Sequence, residues 1–500
     1  MGTRGEQADA SRGPNEHSRP RTSASQTLPH SRAADSSQSG VGGLAMSRAA
    51  SFLGPVAAVI VTTLGLMIPG VTIPAALLLT AGLCVLAIVV SPRGWASAPA
   101  VYLAFFAAFH AALLLLVSFG WGRGSQSWET LDWLSADALL GAARILLVAE
   151  TGLAWGLCLA SAMLRRPARL HDPTPERRLT LVGGTLLTLG LVSFLVVFVQ
   201  VRGWTLFGGG YEQWRTAAAN AVVSSSVILL LIMFGMVLLA AGGPGRARTR
   251  GFIGFGVWAL VLLLLGNRSE VVVPMASVLV VIARQRRLRF RWYYLGVAAL
   301  ALTAASWVRV VRTDDPGQLL GVGPLSGLAE MGSTLRTVIE SWRWHTVFNE
   351  PFVGWRTYWR LFGKILPGQG PVESDPNVFN QTIMERSGPI GGSPVAEAYH
   401  SAGMTGAFIV LFVVGVLLVA MELWPASAFS NAAVGGLLAI LLLWVRNDFT
   451  PVLSEVMMLT VLIGIAWLLP RPHHDRAGPA SARAAGLRSR ETTVQWPAEG

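Results

Sequence analysis

A series of apolar blocks, each about 15 to 25 residues long, recurs from Phe52 to Leu469 and narrows the possible architectures more than any other property of this chain. A helix needs about 20 apolar residues to cross the hydrocarbon core of a bilayer. Backbone amides find no water there, so segments of this kind must satisfy themselves as helices. Twelve blocks are present, at roughly 52–69, 71–91, 98–119, 137–163, 179–201, 219–241, 251–266, 270–284, 292–309, 403–421, 430–446 and 453–469. The two flanking Gly266 to Glu270 are short, which leaves full and incomplete spans both open for that pair. Composition agrees: 13% of residues are charged and 52% hydrophobic, against about 25% charged in an ordinary globular domain. The expectation is an all-α polytopic membrane protein with about twelve transmembrane helices.

The net charge of +12 suggests a nucleic-acid binder until the basic residues are placed along the chain. With both termini cytoplasmic, the tails and short cytoplasmic connections hold 25 of the 39 Lys and Arg residues, and the short external connections hold five. Arg165, Arg166, Arg169, Arg177 and Arg178 fill one cytoplasmic connection; Arg284, Arg286, Arg287, Arg289 and Arg291 fill another. Short loops rich in Lys and Arg stay inside, and long loops are discounted. The charge therefore encodes topology and contact with anionic membrane lipids. No basic module interleaved with aromatics is present, so nucleic acid is not an expected partner. The expected location is the plasma (inner) membrane, multi-pass.

Residues 1–48 and 470–500 are rich in Ser, Arg, Gly and Pro and poor in aromatics. Such segments cannot offset their ordering entropy and read as disordered cytoplasmic tails. The first apolar block starts only near Phe52 and no small-residue cleavage site follows, which argues against a signal peptide. Between the tails, 49–309 carries helices one to nine, 310–402 a long external loop with amphipathic helices, and 403–469 helices ten to twelve. The loop is far longer than an ordinary connection, which makes it functional or disordered. Its Trp342, Trp344, Trp355 and Trp359 decide for function, as does the 3-4-3 spacing of Leu335, Val338, Ile339 and Trp342. That spacing predicts an amphipathic helix suited to the membrane interface. Its tryptophans anchor it or stack on sugar rings.

Charge within a membrane is expensive and needs a reason. Glu150 and Arg144 share the fourth span six residues apart, which is not a contact spacing, so each needs a partner elsewhere. Arg144 either snorkels or joins an anion site. Arg268, in Gly266-Asn267-Arg268-Ser269-Glu270, sits at an external turn between short spans. It suits a phosphate or pyrophosphate, or pairs with Glu270. Four more polar groups abut external boundaries: Tyr211, Glu212 and Arg215 after three glycines; Glu330, Arg336 and Glu340; Gly391 to His400; and Arg446-Asn447-Asp448. Arginines and carboxylates beside lipid suit a substrate with phosphate on a lipid tail and a hydroxylated head. Cys84 and Cys158 lie inside apolar blocks and form no disulfide framework or metal-ligand cluster. His110, inside the third span, reads as a packing residue. No Walker A, HExxH or GxSxG motif occurs.

Taken together, GGGYEQWR at 208–215, GNRSE at 266–270, EMGSTLRTV at 330–338, GWRTYWRLFGKILP at 354–367, GGSPVAEAYHSAGMTG at 391–406 and RND at 446–448 resemble the O-antigen polymerase (Wzy-type) family of oligosaccharide repeat-unit polymerases. The resemblance covers about 200–470 and departs at His400-Ser401, where an Asn-Phe-like pair is common. It implies a GT-C-like, inverting, metal-independent glycosyltransferase with no cofactor. Such an enzyme moves a glycan from undecaprenyl pyrophosphate onto another lipid-linked repeat unit at the external face. On this resemblance Glu397 is the candidate base, with His400 one turn along as alternative or helper. Arg268, Arg336 and Arg446 are candidates to stabilise the departing pyrophosphate, and Arg215, Tyr211, Glu330 and Tyr399 to contact substrate. For Glu397 the competing role is structural pairing with an external Arg. Implied partners are the lipid-linked oligosaccharide, membrane lipids, and a chain-length regulator and flippase of the same pathway. An O-antigen ligase-type transferase and a permease or flippase for lipid-linked sugars are the alternative functions.

Overall fold

The computed structural model describes residues 38–120, 133–164, 175–206, 216–218, 221–265, 269–286, 288–312, 323–360, 378–388 and 390–470. The chain divides into two compact units, 1–45 and 46–500, and the second holds all the apolar blocks. Among the described residues the regular elements are all helical. In chain order the α-helices are α1 Gln38–Met67, α2 Thr72–Val90, α3 Ala98–Ser118, α4 Ala136–Met163, α5 Arg177–Gln200, α6 Ser225–Ala241, α7 Arg246–Leu264 and α8 Ser269–Gln285. They continue with α9 Tyr293–Arg312, α10 Pro324–Gly332, α11 Leu335–Thr346, α12 Arg356–Trp359, α13 Phe379–Ser387, α14 Pro394–Leu423, α15 Ala428–Trp444 and α16 Val452–Leu468.

A helix overlies each of the twelve predicted blocks. Six segments, from Pro69–Val90 through α3, α4, α5 and α7 to α14, are long and apolar enough to cross a membrane. Shorter apolar helices occupy Leu53–Met67, Ser225–Ala241, Tyr293–Ala304, Ala428–Trp444 and Val452–Leu468. The chain is a polytopic membrane protein. Large apolar side chains stay exposed along α1, α5, α7 and α9, among them Ile60, Leu195, Val257 and Leu300. These are the faces that lipid covers.

The centre is the pair α4 and α14. Small residues let the two backbones approach: a Cβ on Gly152 would lie 2.2 Å from the Phe408 carbonyl oxygen, and one on Gly156 2.1 Å from that of Phe412. Close backbone approach is how helices pack where lipid removes the hydrophobic drive between them. The partner required by Glu150 is Thr80, whose hydroxyl donates to Glu150 Oε1.

Two sequence expectations change. The helix that carries the tenth block begins at Pro394 rather than 403, because it starts at a strong cap and passes through a break at Ala402 and Gly403. The amphipathic α11 turns its apolar face onto protein rather than the interface. Leu335, Val338 and Ile339 are fully buried, and the Trp342 ring packs on Gly141 of α4. Trp355 and Trp359 remain exposed.

At the far end of α14, buried Arg284 donates to the carbonyls of Met421 (3.0 Å) and Trp424 (3.0 Å) and to Asn431 Oδ1 (2.8 Å). A cation there answers the unpaired carbonyls and negative pole of a helix C-terminus. Arg93 completes the end with an ion pair to Glu422 at 2.5 Å. Arg284, read from sequence as a topology signal, is thus also a structural lock, and Arg93 acts beside it.

Candidate active site at the start of α14

The site is built by the first two turns of α14. Ser393 has extended backbone, and its hydroxyl accepts from the amides of Val395 (3.2 Å) and Ala396 (3.4 Å), with Pro394 following. This is a strong helix start, since the hydroxyl satisfies orphan donors and Pro has none to lose. The same hydroxyl lies 2.7 Å from His110 Nε2. His110 sits in a π-helical turn, Ala107–Ala111, and is fully buried. Its packing role is thus to hold the cap.

Just before the cap, Gly391 and Gly392 meet the turn Arg446 to Asp448. The Gly392 amide donates to the Arg446 carbonyl at 2.8 Å. Gly391 has φ +85°, and a Cβ on Gly392 would fall 2.4 Å from the Asp448 amide nitrogen. Side chains are excluded here by space and, at Gly391, by backbone conformation. Two of the polar groups separated in sequence thereby become one structure.

Glu397, in the first turn of α14, is fully buried. Its Oε2 accepts from Trp444 Nε1 (3.2 Å) and from the Phe449 amide (2.9 Å), while Oε1 has no hydrogen-bond partner. The hydrogen-bond partners are therefore neutral donors from the end of α15 and the turn after it, not the external arginine that sequence offered as a competitor. Asp448 acts electrostatically on both Glu397 and Glu455, and Arg446 on Glu270. Glu455 and Glu270 each keep one buried oxygen without a hydrogen bond. Tyr358 stacks edge-on to Phe449 at 5.1 Å, and its buried hydroxyl lacks a partner. Burial, then the charge of Glu397, pushes that phenol well above its ordinary pKa. Arg446 itself is exposed at this end.

One turn on, His400 faces another set of groups. Its Nδ1 lies 2.9 Å from His345 Nε2, and His345 Nδ1 lies 2.9 Å from the Glu350 carbonyl oxygen. Trp344 and Phe379 flank the His400 ring at 5.4 and 5.6 Å. Arg386 sits over Trp344 at 5.3 Å and pairs with the Glu350 carboxylate at 2.5 Å. Burial lowers the His345 pKa, overriding the Glu350 contact that raises it. His400 Nε2 is buried without a partner. Leaving a buried polar atom unpaired costs about 1–3 kcal/mol, so each such atom calls for an explanation.

The helix then breaks. Gly403 adopts φ +63°, and a Cβ there would meet the Phe352 ring at 2.9 Å. The break frees the carbonyls of His400 and Ser401, which accept instead from the amides of Val353 (3.3 Å) and Gly354 (2.8 Å). The segment joining α11 to α12 is thus strapped across the kink.

The other candidates scatter. Tyr399 lies beside His345 and Phe352, its hydroxyl 3.5 Å from that of Thr346. Arg336 is held by Glu340 at 3.8 Å and lies over the Trp133 ring at 5.7 Å; Glu330 is on α10. Tyr211, Arg215 and Arg268 lie outside the described residues. His345, Tyr358, Arg386 and Trp444 were not singled out by sequence, though the first lies in the Trp342 to His345 stretch of the amphipathic helix. Among the described residues no three His, Cys, Asp or Glu side chains are grouped as metal ligands.

A 159-residue stretch is 28% identical to Protein CapE of Staphylococcus aureus, covering 30% of this chain and 35% of that relative. The similarity thus spans about a third of the relative's length. No solved structure matches. The family model for O-antigen polysaccharide polymerase Wzy matches residues 52–469, which takes in every helix from α2 to α16 and all the site residues above. The chain belongs to the O-antigen polysaccharide polymerase Wzy family.

Proposed function

We propose that this protein joins polyprenyl-pyrophosphate-linked oligosaccharide repeat units into a surface polysaccharide on the external face of the membrane. It does so as an inverting, metal-independent glycosyltransferase of GT-C type with about twelve transmembrane helices. The observation that carries the reading is the contact of Gly392 with Arg446, inside a family match over 52–469. It sets the Arg446 turn, Glu397 and His400 at one end of one helix.

The reaction asks for cations to stabilise the departing pyrophosphate and an acceptor for the incoming hydroxyl's proton. Arg446 fits the first role where it is exposed at the helix start; Arg268 and Arg336 are the further candidates. Glu397 and His400 each present one unpartnered atom suited to the second. Arg215, Tyr211, Glu330 and Tyr399 are proposed substrate contacts. A small cleft of about 30 Å³, lined by Phe194, Ile228, Trp258, Leu262 and Glu270, is largely apolar with one carboxylate. Lipid-linked oligosaccharide is the proposed substrate, and a chain-length regulator and a flippase are the proposed pathway partners. Both termini are assigned to the cytoplasm by the 25-to-five distribution of basic residues.

The test is the size distribution of cell-surface glycan. Deleting the gene should collapse the polymer to single repeat units, and the wild-type gene should restore it. Arg446→Ala, expressed to wild-type level, should lower polymer yield by about 100-fold, the usual loss on removing a group that stabilises developing charge. Full-length polymer in the deletion strain would overturn the reading; polymer made but no longer attached to its anchor would assign a ligase instead.

A further inference from the structure

His400 Nε2 and the chain of contacts behind it carry an inference that rests on the proposed function but can be tested apart from it. A backbone carbonyl only accepts, so the contact of His345 Nδ1 with the Glu350 oxygen requires a proton on Nδ1. Burial favours the neutral form of His345, and a neutral ring with its proton on Nδ1 has a lone pair on Nε2. That lone pair faces His400 Nδ1 at 2.9 Å, so His400 must donate there. A neutral His400 then has its own lone pair on Nε2, the buried atom with no partner.

The direction of the series is set at Glu350, and Glu350 is itself held. Its carboxylate is gripped by Arg386 at 2.5 and 2.7 Å, and its amide donates to the Trp344 carbonyl at 3.0 Å. The charged and titratable groups around the two rings are Glu350 and Arg386, with the Tyr399 ring 5.9 Å from His345. We propose that His345 is a positioning residue that fixes the tautomer of His400, so that His400 Nε2 is the atom that takes the acceptor's proton. In that step the acceptor oxygen bonds to the anomeric carbon, the bond from that carbon to the pyrophosphate oxygen breaks, and the pyrophosphate leaves with the electron pair. The hydroxyl proton goes to His400 Nε2. The resulting imidazolium keeps its Nδ1–H bond to His345, which spreads the charge toward the Glu350 carbonyl. His400 is 2% exposed, so a neighbouring side chain must move for substrate to reach it.

The test is ¹⁵N NMR of the full-length protein, ring-labelled on histidine, in lipid nanodiscs. The His400 signals are assigned by their loss in His400→Gln. In wild type, His400 should carry its proton on Nδ1, with an unprotonated Nε2. His345→Phe keeps a ring in place and removes the acceptor; His400 should then shift toward the Nε2–H tautomer, and polymer yield should fall at least tenfold. His345→Gln puts an acceptor oxygen near the lost Nε2 and should recover the Nδ1–H signature and most of the yield. A wild-type His400 protonated on Nε2 would sink the proposal. So would a yield loss in His345→Phe with the tautomer unchanged, since that marks a packing role. If the tautomers behave as expected but gene deletion leaves glycan length intact, the polymerase reading fails while the positioning of His400 by His345 stands.

Discussion

Glu397 shows how one buried side chain can hold several elements. Its Oε2 takes an indole N–H from the end of α15 and a backbone N–H from the turn after it. Glu397→Ala leaves one buried and one part-buried donor unpaired and should cost about 2–4 kcal/mol, taking about 1–2 per donor. Glu397→Gln retains a carbonyl oxygen for both donors and should unfold close to wild type. Thermal unfolding in one detergent distinguishes the two variants, and equal midpoints would contradict the assignment of these bonds. Glu397, His400 and Arg446 could be picked out in the sequence because charge and imidazole at the edge of an apolar block need a reason to be there. His345 was not legible. It lies 55 residues from His400 in a stretch whose periodicity marked only a buried face.

At the scale of elements, the glycines explain what hydropathy could not. Hydropathy located α4 and α14 but said nothing of their contact. Gly152 and Gly156 bring the α4 backbone against the carbonyls of Phe408 and Phe412. Gly156→Leu should therefore cost about 3 kcal/mol or more, the upper range for overpacking, because backbone rather than a movable side chain fills the space. Gly184→Leu on α5, where a Cβ would meet nothing within 4 Å, should be near neutral. The yield of folded, monodisperse protein checks both, and equal yields would mean that α4 and α14 do not touch this closely. The start of α14 is likewise a matter of packing. Residues 394–402 are polar enough to read as loop, yet the Ser393 cap makes them helix, and the strap at Val353 and Gly354 satisfies the carbonyls the kink frees.

Across the whole molecule, the distribution of arginine makes a topological prediction. Ser333, exposed in the long connection, and Ala247, exposed at the start of α7, should lie on opposite sides of the membrane. Ser333→Cys should react with a membrane-impermeant maleimide in intact cells, and Ala247→Cys only after permeabilisation, each measured against the unsubstituted chain. The reverse pattern would invert the orientation and move the proposed site to the cytoplasm.

That the chain is helical and membrane-embedded is written in its amino-acid order, because in hydrocarbon the backbone has no alternative way to bond and an apolar block can be read by length alone. The same order marks which polar residues stand at span ends, because their desolvation is too costly to be incidental. Which of these residues meet is a property of the folded chain. The contact of Gly392 with Arg446, the two donors on Glu397 and the pairing of His345 with His400 join positions dozens of residues apart. They depend on close approach and hydrogen-bond direction, which neither hydropathy nor spacing encodes.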